Sequence, residues 1–155
     1  GGMKQFVKPG QKVVVKPNIG WDKVPELAGN TNPKLVEEIV KQCFAAGAKE
    51  VTVFDHTCDD WQKCYKNSGI EAAAKSAGAK VMPAHLESYY KPVDLPNGKK
   101  MKKAKVHENS LSAYCSSACT CLTITCTCSS TSHDPTGNYF QGDVKADSAG
   151  TIVWL

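Results

Sequence analysis

Two segments of the sequence combine side chains that can bind an anion or transfer a proton. Lys16-Pro17-Asn18 and Asp55-His56 each follow a short run of β-branched residues. Lysine and asparagine donate hydrogen bonds to phosphate or carboxylate groups, whereas an aspartate next to a histidine is suited to proton transfer or metal binding. We therefore predict that Lys16 and Asn18 bind a small anionic ligand and that Asp55 and His56 are candidate catalytic residues.

A third segment adds Asn30, Thr31 and Asn32 to the predicted ligand-binding residues. They precede Pro33, and proline is typical of the first position of a helix. The N–H groups and the dipole at a helix N-terminus favour an anion. The alternative is purely structural: the asparagines serve as turn and cap residues, and the Asp-His pair belongs to a solvated loop.

The elements that would position these segments alternate between strand and helix. Short Val-rich runs predict strands at 11–16, 50–55 and 80–84. Helical patterns run from Pro33 to a stop at Gly47 and from 70 to 77. This alternation predicts an α/β fold, a three-layer βαβαβ-type unit with a mostly parallel sheet. Ligands bind such sheets outside the carboxyl ends of the strands, where the three segments meet.

The first predicted helix has one apolar face, and two further features follow the second strand. We expect that face to pack in the core, with Cys43 as a core residue; its members are Leu35, Val36, Ile39, Val40, Cys43 and Phe44. Residues 59–63 are interpreted as a turn that carries a tryptophan. Segments 93–95 and 101–106 flank Pro96-Asn97-Gly98 and predict a hairpin on an edge of the sheet.

Composition excludes several classes of protein. The chain has 155 residues with 41% hydrophobic and 22% charged content, which fits one globular domain. All 19 basic residues are lysines, and the absence of arginine argues against a nucleic-acid reader. The lysine-rich run at 99–103 is interpreted as a solvated hairpin arm, with contact to an anionic surface as the alternative.

Known sequence signatures narrow the classes further. No apolar run approaches a membrane span, and no G-x-G-x-x-G, Walker A or G-x-S-x-G pattern is present. The opening Gly1-Gly2-Met3 has no signal-peptide character, so any export signal would be missing from this chain. Localisation stays open between the cytoplasm and export.

Cys58 and Cys64, together with His56, form a candidate metal site. Cysteine and histidine bind zinc or iron, although the spacing H-x-C-x5-C matches no standard zinc finger. His85, at the end of the third predicted strand, is a further possible ligand. A disulfide between the two cysteines, if the protein is exported, and unmodified thiols are the alternatives.

Several short motifs in a fixed order resemble the prokaryotic domain-of-unknown-function family 362, over about residues 7–107. The resemblance implies an α/β protein that is often associated with ferredoxin-type iron–sulfur modules and in many members is exported. It makes an iron–sulfur cluster or zinc the candidate cofactors and a ferredoxin-like module the candidate partner. The motifs are Gly10, Lys16-Pro17-Asn18, Thr31-Asn32-Pro33, Ala46-Gly47-Ala48-Lys49, Val53-Phe54-Asp55 and Ser68-Gly69-Ile70.

The composition changes after position 108, which divides the chain into a domain at 1–108 and a tail at 109–155. Residues 109–132 have no charge and consist mainly of Ser, Thr and Cys. A reading-frame shift, a chimeric junction or a degenerate tail after a truncated family domain would explain this change. The alternatives are a β-prone arm and a thiolate metal site formed by the clustered cysteines. Residues 150–155 have the pattern of one more strand.

Two functions follow from these features. In the first, the domain belongs to a redox or iron–sulfur-associated protein and binds a small anionic ligand at the carboxyl ends of the strands. In the second, it is a metal- or ligand-binding module without enzymatic activity. Whether the protein is an enzyme is left open.

Overall fold

A parallel sheet with helices packed on it forms the main part of the protein, which this computed structural model describes at residues 2–95, 102–110, 119–123 and 152–154. The strands of the first half pair in parallel, with Val13 opposite Val51 and Thr52 opposite Lys80. This arrangement confirms the predicted α/β class. The elements are β1 (Lys12–Lys16), α1 (Pro33–Ala45), β2 (Glu50–Val53), α2 (Trp61–Asn67), α3 (Ile70–Ser76) and β3 (Lys80–Val81).

A hairpin follows the parallel strands and forms a two-stranded sheet of its own. Strand β4 (Tyr90–Asp94) pairs antiparallel with β5 (Lys103–His107), and Tyr90 lies opposite His107. The predicted hairpin is thereby confirmed, and among the described strands it forms a sheet separate from the parallel one. The predicted turn at 96–98, with Lys99 and Lys100, lies outside the described residues.

Two strands from the last third of the chain extend the parallel sheet on the other side of β1. Strand β6 (Cys119–Thr123) lies beside β1 and β7 (Ile152–Trp154) beside β6, which gives the order β3-β2-β1-β6-β7. The division of the chain into a domain at 1–108 and a tail at 109–155 stays a prediction. Most of the predicted cysteine cluster lies outside the described residues, and the origin of the tail stays a prediction.

One face of the sheet carries the main core, and the helices supply its other half. Side chains of α1 pack against valines of β1 and β2, and Cys43 is completely buried, as predicted. Leu35 was predicted to lie on this face, but it is 44% exposed. The opposite face holds a smaller cluster of Val14, Phe54 and Ala84.

The segment predicted as a turn at 59–63 instead opens helix α2. Asp60 caps this helix, since its Oδ1 accepts a 3.0 Å hydrogen bond from Lys63 N. The helix buries Cys64 and Tyr65 against the sheet. Among the described residues, no helix combines the length and the apolar character that crossing a bilayer requires.

The start of α1 provides a first test of these assignments. Asn32 Oδ1 accepts a 2.9 Å hydrogen bond from Lys34 N, so Asn32→Ala is expected to lower the free energy of unfolding by about 1 kcal/mol. Asn32→Asp keeps an acceptor and is expected to retain most of the stability. Urea denaturation of both variants measures the difference. Equal midpoints for Asn32→Ala and the wild type would show that this cap does not stabilise the helix.

Candidate ligand-binding site

Asp55 joins the carboxyl ends of β1 and β2. Its Oδ2 accepts a 2.7 Å hydrogen bond from Ile19 N, and its Oδ1 is ion-paired with the ammonium group of Lys16. The Asp55 side chain is only 6% exposed, whereas that of Lys16 is 44% exposed. A carboxylate that leaves water needs such partners, because an uncompensated buried charge is strongly unfavourable. Both carboxylate oxygens are therefore engaged in holding Lys16 and the loop after β1.

Tyr65, which lies on helix α2, is hydrogen-bonded to the backbone of Asp55. Its hydroxyl oxygen accepts a 2.8 Å hydrogen bond from Asp55 N. The hydroxyl proton has two carbonyl acceptors within reach, Asp55 O at 2.8 Å and Met82 O at 3.2 Å. Burial raises the pKa of Tyr65 far above its ordinary value, so the hydroxyl stays protonated and can donate. Helix α2 is thereby tied to the ends of β2 and β3.

Asn18, Asn30 and Thr31 hold the loop that follows β1. Asn18 N donates to Thr31 Oγ1 at 2.9 Å, and Asn18 Oδ1 accepts from Gly20 N at 3.0 Å. The side-chain amide of Asn30 accepts a 3.0 Å hydrogen bond from Trp21 N and donates a 2.8 Å hydrogen bond to Trp21 O. These contacts correspond to the structural alternative, and ligand binding by these side chains stays a prediction.

The N-terminus of α1 uses its donors within its own first turn. Lys34 N donates to Asn32 Oδ1 at 2.9 Å, while the N–H groups of Leu35 and Val36 lie 3.0 and 3.2 Å from Asn32 O. Pro33 has no N–H group. The first turn therefore directs its N–H groups to Asn32, which acts as the helix cap.

A pocket of about 330 Å³ lies between the carboxyl ends of β1 and β2 and the hairpin. Of the predicted site residues, it brings together Lys16 and His56. Most of its other lining residues come from the hairpin. The lining consists of the rings of Phe54, His56, Tyr90 and His107, the lysines Lys16 and Lys105, and the smaller residues Ala104, Val106 and Ser110.

His107 attaches the hairpin to the second face of the sheet. Its ring stacks on Phe54 at a centroid distance of 4.2 Å and an angle of 25°. Nδ1 accepts a 3.2 Å hydrogen bond from Asn109 N, which leaves the proton on Nε2 to donate to Pro83 O at 3.2 Å. Burial lowers the pKa of His107, so the neutral form is favoured.

Tyr90 forms the adjacent wall of the pocket. Its hydroxyl donates to Ala84 O at 2.9 Å, and burial raises its pKa to about 12. Its ring meets His107 edge to face at 5.3 Å and His56 at 6.0 Å. Sequence analysis missed Tyr90 and His107 as site residues, and both lie outside the segments that were predicted to form the hairpin.

The two cysteines of the predicted metal site differ in exposure. Cys64 is buried on α2, its Sγ lies 3.7 Å from Gly20 O, and burial raises its pKa, which favours the neutral thiol over the thiolate that binds metals. Cys58 is exposed, and neither cysteine is in a disulfide. His85 stacks on Trp61 at 4.5 Å.

The described residues contain no group of three or more His, Cys, Asp or Glu side chains placed to hold a metal ion. The metal site at Cys58, Cys64 and His56 stays a prediction.

Comparison with known families shows to which protein family this chain belongs. The sequence profile described as "Domain of unknown function (DUF362)" matches residues 13–126, which is well over half of the chain. The chain belongs to the DUF362 family. The match confirms the resemblance drawn from the short motifs and extends it past residue 107 into β6. No curated protein and no solved structure gives a significant match to this DUF362 domain, and family membership alone assigns no activity.

The hydroxyl of Tyr65 is a testable part of this site. Tyr65→Phe removes the acceptor for Asp55 N in a side chain that is only 2% exposed, so it is expected to lower the free energy of unfolding by about 1–3 kcal/mol. Tyr89→Phe is the matched control, because it removes the same hydroxyl group from a tyrosine outside helix α2. Chemical denaturation measures both. Similar losses in the two variants would contradict the anchoring role of Tyr65.

The buried imidazole of His107 predicts a dependence of stability on pH. Because its pKa in the folded protein lies below the ordinary value of 6.5, its stabilising contribution is complete above about pH 6.5. That contribution is lost as the pH falls through the lower folded pKa. His107→Phe keeps a ring but cannot take up the proton, so it is expected to lose less stability than the wild type on acidification.

Urea unfolding at about pH 7.5 and about pH 5 measures this difference. Tyr90→Phe is the control, because it weakens attachment of the hairpin at Ala84 without removing the imidazole. It is expected to show the pH dependence of the wild type. Parallel pH profiles for His107→Phe and the wild type would contradict the prediction.

Proposed function

We propose that this DUF362 domain binds a small anionic ligand in the pocket between the carboxyl ends of β1 and β2 and the β4–β5 hairpin. The observation that carries the proposal is the position of the Lys16 ammonium group. An ammonium group has three N–H donors, and Asp55 Oδ1 engages one of them. The Lys16 side chain remains 44% exposed and lines the pocket, so the other donors are accessible to a ligand.

Asp55 supports this function as a positioning residue. Its Oδ2 is engaged by Ile19 N, which partly compensates the carboxylate without using Lys16. Lys16 is thus held at the strand end by a fixed partner and pays little conformational entropy when a ligand arrives. An anion that accepts from Lys16 would complete its hydrogen bonding.

Lys105 supplies a second cation to the same pocket. It is ion-paired with Glu87, whose side chain is 77% exposed. Exposed ion pairs contribute little to stability because water and salt compete with them. Lys105 can therefore leave its ion pair with Glu87 and bind a ligand with little loss of stability.

His56 is the candidate for proton transfer within this proposal. Its exposed ring lines the pocket beside Tyr90, and imidazole exchanges protons near neutral pH. The two oxygens of Asp55 are engaged elsewhere, which favours an orienting over a proton-transfer role for that carboxylate. Ligand binding without reaction is the alternative within the same site.

A redox context is the second part of the proposal, and family membership supports it. The resemblance to DUF362 implies that such domains work beside ferredoxin-type modules. In this proposal the iron–sulfur cluster belongs to the ferredoxin-like partner, and the present domain contributes the anion site.

Lys16→Met tests the anion site, because methionine keeps an unbranched apolar side chain but lacks the N–H donors. Inorganic phosphate or acetate at ten times its dissociation constant is expected to stabilise the wild type by about 1.4 kcal/mol and Lys16→Met by almost nothing. Thermal unfolding at constant ionic strength, with chloride as the replaced anion, measures this difference. Each variant is compared with itself without ligand, since loss of the Asp55 partner lowers its own stability.

Lys80→Met is the matched control for that experiment. It removes the same charge and also an ion pair, to Glu50 at the amino end of β2. We expect it to keep the full stabilisation by the anion. Unchanged stabilisation of Lys16→Met, or equal losses in the two variants, would refute the proposed site.

A further inference from the structure

Two lysines reach the pocket from its two sides. Lys16 is the last residue of β1 in the parallel sheet, and Lys105 is the central residue of β5 in the hairpin. Lys16 is ion-paired with Asp55, which follows β2, and Lys105 is ion-paired with Glu87, which precedes β4. Because the two partners belong to different parts of the fold, they hold the two ammonium groups at separate positions.

The lining of the pocket offers cationic donors at these two positions and, among the described residues, no carboxylate. Each ammonium group has three N–H donors, of which its ion pair engages one. A ligand with one anionic group satisfies the donors of Lys16 but leaves Lys105 to Glu87 and water. A ligand with two anionic groups at a distance from each other reaches both lysines.

The other accessible lining of the pocket includes apolar side chains. Ala104 and Val106 of β5 and the ring of Tyr90 are half-buried, so a ligand can still cover part of their surface. Phe54 and His107 also line the pocket but are each 4% exposed and stack on one another, which leaves a ligand almost none of their surface. Methylene groups gain free energy by covering apolar surface, so an aliphatic chain suits the part of the ligand between its charges.

We propose that the ligand is a short aliphatic dicarboxylate that bridges the sheet and the hairpin, with one carboxylate at Lys16 and the other at Lys105. The pocket volume of about 330 Å³ lies near the lower end of the range for small-molecule sites, roughly 300–1,000 Å³, which suits a chain of a few carbons. Lys105 leaves only an exposed ion pair, so its transfer to the ligand costs little free energy. This inference rests on the proposed anion site and specifies the class of its ligand.

Matched pairs of carboxylates test the bridge on the full chain. Malonate, succinate and glutarate are compared with propionate, butyrate and valerate, which have the same numbers of carbons and one carboxylate each. Isothermal titration at about pH 7.5, where the carboxylates are ionised, and at constant ionic strength measures the affinities. The best dicarboxylate is expected to bind at least about fivefold more tightly than its monocarboxylate partner, since a charge-assisted hydrogen bond to Lys105 is added. This gain exceeds the statistical advantage of two equivalent ends.

Substitution of Lys105 tests the hairpin side of the bridge. Lys105→Met is expected to lower the affinity for the dicarboxylate to that for the monocarboxylate and to leave the affinity for the monocarboxylate unchanged. Lys103→Met is the matched control, because Lys103 lies in the same strand, is ion-paired with Asp94 and does not line the pocket. Its affinities are expected to equal those of the wild type. A preference for the dicarboxylate that survives Lys105→Met, or equal losses in the two variants, would refute the bridge.

Amide hydrogen exchange gives a second readout, because a bridging ligand ties the hairpin to the sheet and opposes its local opening. At equal saturation of the wild type, the dicarboxylate is expected to slow exchange in β4 and β5 severalfold. The monocarboxylate is expected to leave exchange there unchanged. Equal exchange rates with the two ligands would contradict the bridge.

The remaining outcomes separate the bridge from the anion site on which it rests. If the members of each matched pair bind equally and Lys16→Met abolishes binding of both, the bridge is refuted and the anion site stands. If dicarboxylates bind but Lys16→Met keeps their full affinity, both are refuted. Absence of binding by every carboxylate and by phosphate also refutes both.

Discussion

A carboxylate held almost completely out of water constrains the whole end of the sheet. A backbone N–H group and an ammonium group face the two oxygens of Asp55 and replace the water that burial removes. The first fixes the loop after β1 and the second fixes Lys16. With Tyr65 bonded to the backbone of the same residue, two strands, a loop and a helix converge on one position. The proposed binding site is thus built on a group that does not itself need to touch the ligand.

The polar residues near this end of the sheet fall into two groups, those that hold the loop and those that line the pocket. Asn18, Asn30 and Thr31 share the chemistry of anion ligands, but the loop uses their donors and acceptors for its own backbone. Amide and hydroxyl groups serve both purposes equally well, so residue type alone could not separate the two roles. The three residues do not line the pocket, and most of the residues that do line it come from the hairpin.

Local signals account for the parts of the fold that sequence analysis predicted correctly. The start of α1 at Asn32 and its stop at Gly47, which has a φ of 100°, depend on neighbouring residues alone. Helix α2 was missed because its cap, Asp60, opens only seven helical residues. The pocket was missed for another reason: Tyr90 and His107 gain their role through contacts with strands far away in the sequence, which no local pattern encodes.

In the part of the chain that the structure describes, the hairpin is joined to the parallel sheet by side chains and not by strand pairing. Its attachment consists chiefly of the ring of His107 on Phe54, the bond from His107 to Pro83 and the bond from Tyr90 to Ala84. Few contacts of this kind allow a segment to open locally while the rest of the domain stays folded. We therefore expect the hairpin to detach before the five-stranded sheet unfolds when the protein is destabilised.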